Sequence, residues 1–547
     1  MAIALLWFVN LDSHRLWHPD EGRYAEIARE MAVSGDWVTP RLDDIKYFEK
    51  PPFQYWVTAA AYRAFGVHEW TARLWPALAG LLAVIAIGGA GLALGGAALG
   101  VFAALALAGT LWHAVIAQMV TLDSGLAFFL ALGFAAFVIA QRSEATAVGQ
   151  RNWMWVAWAA FAGATLSKGP VAFVLPAGAL AGYTAITRDV AVWRRLHVAS
   201  GVALFLLLTV PWFVAVARSN DEFLQFFFVH EHFQRFLTQE AQRTGPWYYF
   251  IPLALAGSLP WLAVLAYGTR RAWRDGRANS LGFSWQRFAL VWVAFVFLFF
   301  SASGSKLPSY ILPMFAPLAL VIGWLLVVVE SRTLWKISLP GAIAIAAITS
   351  VVVAGYDQVA PPFIGGAQPM EAIVAFGPWL KMALVVVAAG SIAAVIAFRR
   401  AAVRPSARFW AVATLCVSAL AAVQLATAGF DAFSATRSTS AILRAAQSAG
   451  PFAASAPVYQ VTMYDQTFPF YLGRPTTLVQ FRDELALGID AEPDKAIPTV
   501  GAWLPQWRSL SQGYAMMPPD LYDHLAAEGV PMRLLARDSR RVIVSRQ

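Results

Sequence analysis

Long apolar stretches recur along the chain, near 76–95, 97–118, 122–140, 153–167, 170–187, 197–217, 247–268, 286–302, 308–329, 337–355, 375–398 and 407–429, with short polar connections between them. A helix that crosses a bilayer needs about 20 mostly apolar residues, so each stretch predicts a spanning helix and together they predict twelve. Residues 1–10 are apolar but too short to cross alone; a thirteenth span expects further residues ahead of them or a steeply embedded helix end. They lack the basic region and small-residue cleavage site of a secretory signal.

Two segments break this pattern. Residues 11–75 are too long for a plain connection and predict interfacial helices. Within them, PDEGRYAEIAREMAVSG sets Tyr24, Ile27, Ala28 and Met31 on one helical face, with acids in the first turn and a stop near Gly35. Such a helix can lie on a bilayer surface. After Phe430 the text becomes SATRSTSAILRAAQSAG, then the alternating APVYQVTMY and TTLVQF, a helix around PDLYDHLAAEG and a final RRVIVS. That succession predicts a small α/β domain over 430–547, following a mainly α, polytopic membrane domain over 1–429. No internal repeat is visible.

Composition agrees: 547 residues, 59% hydrophobic and 13% charged, with a mean hydropathy of +0.57, exclude a soluble globular chain. The net charge of +9 does not form a nucleic-acid patch, because the basic residues sort by loop, into 142–151, 188–195, 270–287, 332–336 and 399–408. The positive-inside rule makes those loops cytoplasmic. The opposite face then receives 11–75, 119–122, 168–169, 218–246, 303–308, 356–374 and everything after Phe430. Cys416 lies in an apolar run and reads as a small hydrophobe, so no disulfide framework exists.

The uncommon polar residues fall on that outer face: Asp20, Glu21, Glu49, Lys50, Asp123, Lys168, His230, Glu231, His232, Arg235 and Lys306. Ionisable groups at membrane depth are costly and point to function. Each also has a plainer reading. Asp20 and Glu21 suit a helix N-terminus, Asp123 suits a helix cap, and Lys50 can either bind a phosphate or reach along the interface. Lys168 in LSKGP and Lys306 in SGSKLPSYILP are phosphate or headgroup contacts, or interface anchors. Arg235 can grip a phosphate bidentately. Glu49 with His230 can hold a divalent ion if their loops approach, although no HExxH or paired-cysteine spacing accompanies them. Walker A, G-x-S-x-G and dinucleotide patterns are missing from any strand-to-helix context, which argues against nucleotide-driven transport.

Taken together, HPDEGRYAEIAREM, YFEKPP, the acid of TLDSG, LSKGP and SGSKLPSYILP resemble the bacterial 4-amino-4-deoxy-L-arabinose transferases. These are lipid A-modifying, polyprenyl-phosphate-dependent GT-C glycosyltransferases related to protein O-mannosyltransferases. The early acidic motif indicates the wider superfamily; EKPP with SGSKLPSYILP is more specific. The short first helix departs from the family pattern. The resemblance implies about thirteen spanning helices, a bacterial inner-membrane location among its lipids and a periplasmic active site. It also implies undecaprenyl phosphate-aminoarabinose as donor, a lipid A phosphate as acceptor, inversion at the anomeric carbon, and resistance to cationic peptides such as polymyxin. By the same resemblance Asp20 is the catalytic carboxylate and Asp123 a second acid in the cavity. Lys50 and Arg235 hold the donor phosphate, and Tyr310 lines the same place.

The alternative enzyme moves another sugar from a polyprenyl phosphate to protein hydroxyls, where Asp20 would act as a general base. A lipid transporter would spread polar residues along the whole membrane path and often carry inverted repeats, which this chain does not do.

Overall fold

The computed structural model describes residues 2–227, 245–364, 368–448 and 450–546. The apolar stretches fold as helices close to their predicted limits, for example Leu122–Ala140, Val171–Thr187, Trp285–Ala302 and Ala407–Ala428. Glu69–Ala108 contains two predicted spans. At Gly95 and Gly96 the backbone leaves helical geometry, Gly96 with φ +79°, and the chain doubles back. The two arms pack so closely that a Cβ on Gly91 would stand 2.9 Å from the Gly100 Cα, a contact only glycine allows.

Among the described residues eight helices are long and apolar enough to cross a membrane, or nine if the bent pair Phe250–Gly257 and Leu262–Asp275 is one span. The sequence count of about thirteen differs for physical reasons. The two arms of Glu69–Ala108 count once, Ala147–Lys168 carries polar residues at both ends, Val171–Thr187 has 17 residues and Ala2–Phe8 has 7. The predicted span 247–268 is broken before Leu262, its two helices meeting at 101° beside Pro260, which cannot donate to a helix.

The arginine-rich turns gather at one end of the bundle. There Arg195 Nε donates to Gln141 Oε1 at 2.6 Å, Asn279 Nδ2 to the Gln141 carbonyl at 2.8 Å and Arg142 Nη1 to the Ala93 carbonyl at 2.9 Å. The first long loop and the terminal α/β unit occupy the other end.

The terminal unit is built on a mixed six-stranded sheet. After the first-loop hairpin β1 (Arg41–Leu42) and β2 (Ile45–Lys46), its strands are β3 (Val458–Val461), β4 (Thr477–Val479), β5 (Ala496–Ile497), β6 (Gly513–Met517), β7 (Arg533–Arg537) and β8 (Val542–Arg546), in the order β5-β4-β3-β6-β8-β7. The first four in that order run parallel; β8 pairs antiparallel with both β6 and β7. One face is sealed by Trp503 and Trp507, both with no exposure, and the other by Ile442, Leu443 and Phe468.

This unit is not a detached lid. Its Tyr464, Phe470, Leu478 and Leu485 share one apolar core with Leu16, Tyr24, Ile27, Met31 and Tyr55 of the first loop. The Asp20–Ser34 helix, ended by left-handed Gly35 (φ 76°) as its sequence predicts, is therefore covered from Glu21 through Met31. It lies between the Phe53–Phe65 helix and the terminal unit, so its polar face is buried in protein rather than open to water. The burial explains the glycine of DEGRY: a Cβ on Gly22 would meet the backbone nitrogen of Thr467 at 2.7 Å.

Candidate active site

Asp20 opens its helix, where the unpaired N–H groups favour an anion. Its Oδ1 accepts from Arg23 Nη1 at 2.8 Å across one turn, while 38% of the side chain remains exposed. The second Arg23 terminal nitrogen, Nη2, pairs with Glu484 of the terminal unit. Burial opposes the Arg23 charge, but Tyr47, Glu484, Tyr24 and Asp20 outweigh it and hold its pKa well above the ordinary value. Burial raises the pKa of Glu484, with Arg23 acting against it; Gln466 Nε2 donates to Glu484 Oε1 at 2.7 Å. Asp20 is thus an accessible carboxylate oriented by an arginine that is itself anchored in the terminal unit.

Glu21, the next residue, does a different job. It is buried and receives Arg73 Nε and Nη2 at 3.0 Å each. Arg73 spends its remaining donors on the carbonyls of Leu11, His14 and Arg15, at 3.0, 2.8 and 3.2 Å. Burial would raise the Glu21 pKa, yet Arg73 and its hydrogen bonds bring it below the usual value. Burial, helped by Arg73, drops the His14 pKa to about 3, so the 3.8 Å approach of His14 to Glu21 is not an ion pair at neutral pH. Glu21 also accepts the Val120 N–H at 2.9 Å. That bond ties the first loop to the turn that presents Asp123.

Asp123 stands in the first turn of the Leu122–Ala140 helix. Its Oδ1 accepts from Lys168, at the last turn of the Ala147–Lys168 helix, and its Oδ2 accepts from Ser309 Oγ at 2.9 Å. Lys168 Nζ lies 4.7 Å from the Tyr310 ring centroid. Asp123, Lys168 and Tyr310 therefore meet although they come from three distant segments. Ser309 was not among the sequence candidates, and its position beside Tyr310 in KLPSY was the available signal.

YFEKPP ends in Pro51 and Pro52, after which the Phe53–Phe65 helix begins. Tyr47 donates its hydroxyl to Glu49 Oε2 at 3.2 Å, and Lys50 Nζ donates to the Glu49 carbonyl at 2.9 Å. Phe53 packs edge-on against Phe129 of the Asp123 helix, ring centroids 4.9 Å apart, which brings the EKPP turn toward the same end.

Lys306, a candidate phosphate or headgroup contact or interface anchor, is held by its own turn. Buried, it donates to the carbonyls of Ser301 and Ser303 at 2.8 and 2.9 Å and so caps the Trp285–Ala302 helix. Arg235 and His230, with Glu231 and His232, lie outside the described residues. The Glu49–His230 metal pair lies partly outside them as well; among the described residues no group of three or more His, Cys, Asp or Glu side chains is arranged to hold an ion.

Arg23 and Glu484 were missed in the sequence. The D-x-x-R spacing of Asp20 and Arg23 was legible as a helical pair. Glu484 carried no local signal, because only tertiary packing brings it to Arg23.

Family models match two parts of the chain: the aminoarabinose transferase C-terminal domain over residues 445–546, and dolichyl-phosphate-mannose-protein mannosyltransferase over residues 1–229. The undecaprenyl phosphate-alpha-4-amino-4-deoxy-L-arabinose arabinosyl transferase of Erwinia tasmaniensis is 34% identical over 328 residues. That alignment takes in 58% of this chain and 57% of the relative, less than two thirds of its length. The enzyme of the same name from Enterobacter sp. is 30% identical over 426 residues, 76% of this chain and 73% of the relative. A crystal structure of ArnT from Cupriavidus metallidurans bound to undecaprenyl phosphate superposes with a TM-score of 0.91 at 38% identity, covering 100% of this chain and 97% of that one.

Proposed function

The chain belongs to the undecaprenyl phosphate-aminoarabinose arabinosyl transferase family, and from that premise we propose that it transfers 4-amino-4-deoxy-L-arabinose from undecaprenyl phosphate to a lipid A phosphate. The observation that supports the reading is that the Asp20–Arg23 pair and the Asp123–Lys168–Tyr310 group share the end of the bundle opposite the arginine-rich turns, tied by the Glu21–Val120 hydrogen bond. The relative of known structure holds undecaprenyl phosphate. By the positive-inside rule this end faces the periplasm of a bacterial inner membrane.

The reaction breaks the bond between the anomeric carbon and the donor phosphate oxygen and forms a bond to an acceptor phosphate oxygen. The electron pair departs on undecaprenyl phosphate. An acceptor phosphate is already anionic near neutral pH, so no strong base is needed. Charge on the leaving phosphate needs cations, the task of Lys50 and Arg235. Asp20, at the helix N-terminus, stabilises positive charge developing on the sugar or positions the reacting lipids. Glu49 or Asp123 offers a carboxylate to the sugar ammonium, although Lys168 already occupies one oxygen of Asp123. Lys306 holds the turn before Tyr310 in place. A divalent ion at Glu49 and His230, if bound, would add charge stabilisation at the same phosphate. The product carries less negative charge, and with it comes resistance to cationic peptides such as polymyxin.

The mannosyltransferase match over 1–229 supports a second reading, in which a protein hydroxyl is the acceptor and Asp20 removes its proton. Mass spectrometry of lipid A from a donor-competent host lacking its own transferase separates the two. The expected result is a gain of one or two aminoarabinose units that disappears with Asp20→Asn. Unmodified lipid A beside glycosylated periplasmic protein, with the membrane level of the enzyme verified, would overturn the first reading in favour of the second.

A further inference from the structure

At this end of the fold most buried arginines are matched to acids. Arg23 pairs with Asp20 and Glu484, Arg29 with Glu26, Arg73 with Glu21, and Arg541 with Asp465 and Asp538. Two others are not. Arg437 ends the short helix Ser434–Arg437 that follows the Ala407–Ala428 span, and Arg540 lies in the turn between β7 and β8. Among the described residues neither is paired with a carboxylate.

Both converge on His18, two residues before Asp20. The His18 N–H donates to the Arg437 carbonyl at 2.8 Å. Arg540 Nη1 donates to the His18 ring at Nε2 and to the Thr436 carbonyl, 2.6 Å each. Burial lowers the His18 pKa, and the arginines around it outnumber the single opposing carboxylate, Asp465. A neutral imidazole accepting from Arg540 fits that environment, and it leaves the guanidinium charges uncompensated.

Below them lies an aromatic patch at the end of a membrane span. The Arg437 guanidinium sits 6.0 Å from the Trp17 ring, Trp17 packs on Phe430 at 5.0 Å, and Phe376 packs on Phe433 at 5.2 Å. These rings form a packed core that fixes the two arginines at the end of a span, and basic clusters at span ends bind lipid headgroups. Guanidinium forks match phosphate oxygens bidentately.

We propose that Arg437 and Arg540 dock the phosphate of the acceptor lipid and, through His18, set it beside the Asp20 turn. This rests on the reading that the acceptor is a phosphorylated membrane lipid. The patch joins the terminal unit to the last span, so a phosphate bound there bridges the two parts of the molecule that build the site.

The test uses the full-length enzyme and the double variant Arg437→Gln/Arg540→Gln, with Arg437→Lys/Arg540→Lys and the exposed single change Arg540→Gln beside it, thermal unfolding confirming that each folds. Transfer kinetics should show the KM for lipid A rising about tenfold, the scale of a lost charge-assisted hydrogen bond, with kcat and the donor KM nearly unchanged and partial recovery in the lysine pair. An unchanged acceptor KM, or a rise confined to the donor KM, would overturn the proposal. Native mass spectrometry provides an arm independent of turnover. Wild-type enzyme should retain lipid A over its dephosphorylated form, and the double variant should lose that preference. Equal loss of phosphatidylglycerol would mark a resident phospholipid site and count against the proposal. If wild-type enzyme transfers nothing to lipid A while this binding preference holds, it is the reading of the reaction that fails, not the docking site.

Discussion

Asp20 and Glu21 are adjacent acids of nearly the same chemistry, and their surroundings separate them. Asp20 keeps over a third of its side chain exposed and a single arginine partner, whereas Glu21 is sealed in with Arg73 and the Val120 N–H. Asp20→Asn is therefore expected to leave thermal unfolding close to wild type while turnover falls at least about 100-fold, the lower range for a positioned catalytic group. Glu21→Gln should do the reverse in order of cause. It leaves Arg73 buried beside a neutral partner and destabilises by about 3–5 kcal/mol, visible as a lower unfolding temperature before any kinetic assay. Nothing in the string DEGRY distinguishes the two acids; the difference is one of burial, which depends on what packs over the helix.

The Asp20–Ser34 helix carries the catalytic candidate on one end and the docking surface for the terminal unit along its length. Its start, its acidic first turn and its Gly35 stop were readable in the sequence, because capping and charge preference are local. Its all-round burial was not. The face with Glu26, Arg29 and Glu30 is charged, yet Arg29 pairs with Glu26 at 2.6 Å and also donates to the Gly473 carbonyl of the terminal unit at 3.0 Å. At Gly22 the helix and the terminal unit approach closely. Gly22→Ala would push a methyl against the Thr467 backbone, which cannot swing aside as a side chain can. We expect a cost of about 1–3 kcal/mol from overpacking, with reduced transfer activity as Glu484 withdraws from Arg23. Thermal unfolding and lipid A modification measured on the same preparation would check this; a fully active, fully stable Gly22→Ala enzyme would contradict the close packing.

Across the whole molecule, the seam between the first loop and the terminal unit is fastened by buried acids. The tight turn Asp43–Asp44 joins β1 (Arg41–Leu42) to β2 (Ile45–Lys46), both aspartates at positive φ, and Glu30 accepts both of their N–H groups at 2.6 and 3.0 Å. Asp43 in turn accepts from the N–H and hydroxyl of Thr476, at 2.5 and 2.6 Å. Burial raises the Asp43 pKa to about 8, and burial together with Glu26 and Asp43 raises that of Glu30. An acid whose pKa is higher folded than unfolded holds its proton in the native state, so its contribution favours folding most below its unfolded value of about 4 and is lost as pH climbs toward 8. Thermal unfolding followed from pH 5 to 8 should show stability declining with pH, and Asp43→Asn should flatten the decline; an unchanged slope would remove Asp43 from the account.

The sequence by itself determined the membrane class, the approximate limits of the spans, the strand and helix text of the terminal unit and most of the candidate polar residues. These follow from local composition and periodicity, which a bilayer enforces strongly because it leaves backbone groups no water to pair with. The assembly of those residues depended on the tertiary structure. It joined Asp123 to Lys168 and Ser309, assigned Lys306 to a helix end, and delivered Glu484 to Arg23 from the far end of the chain. Those pairings depend on which surfaces bury one another, and burial is a property of the packed whole that no window of sequence contains.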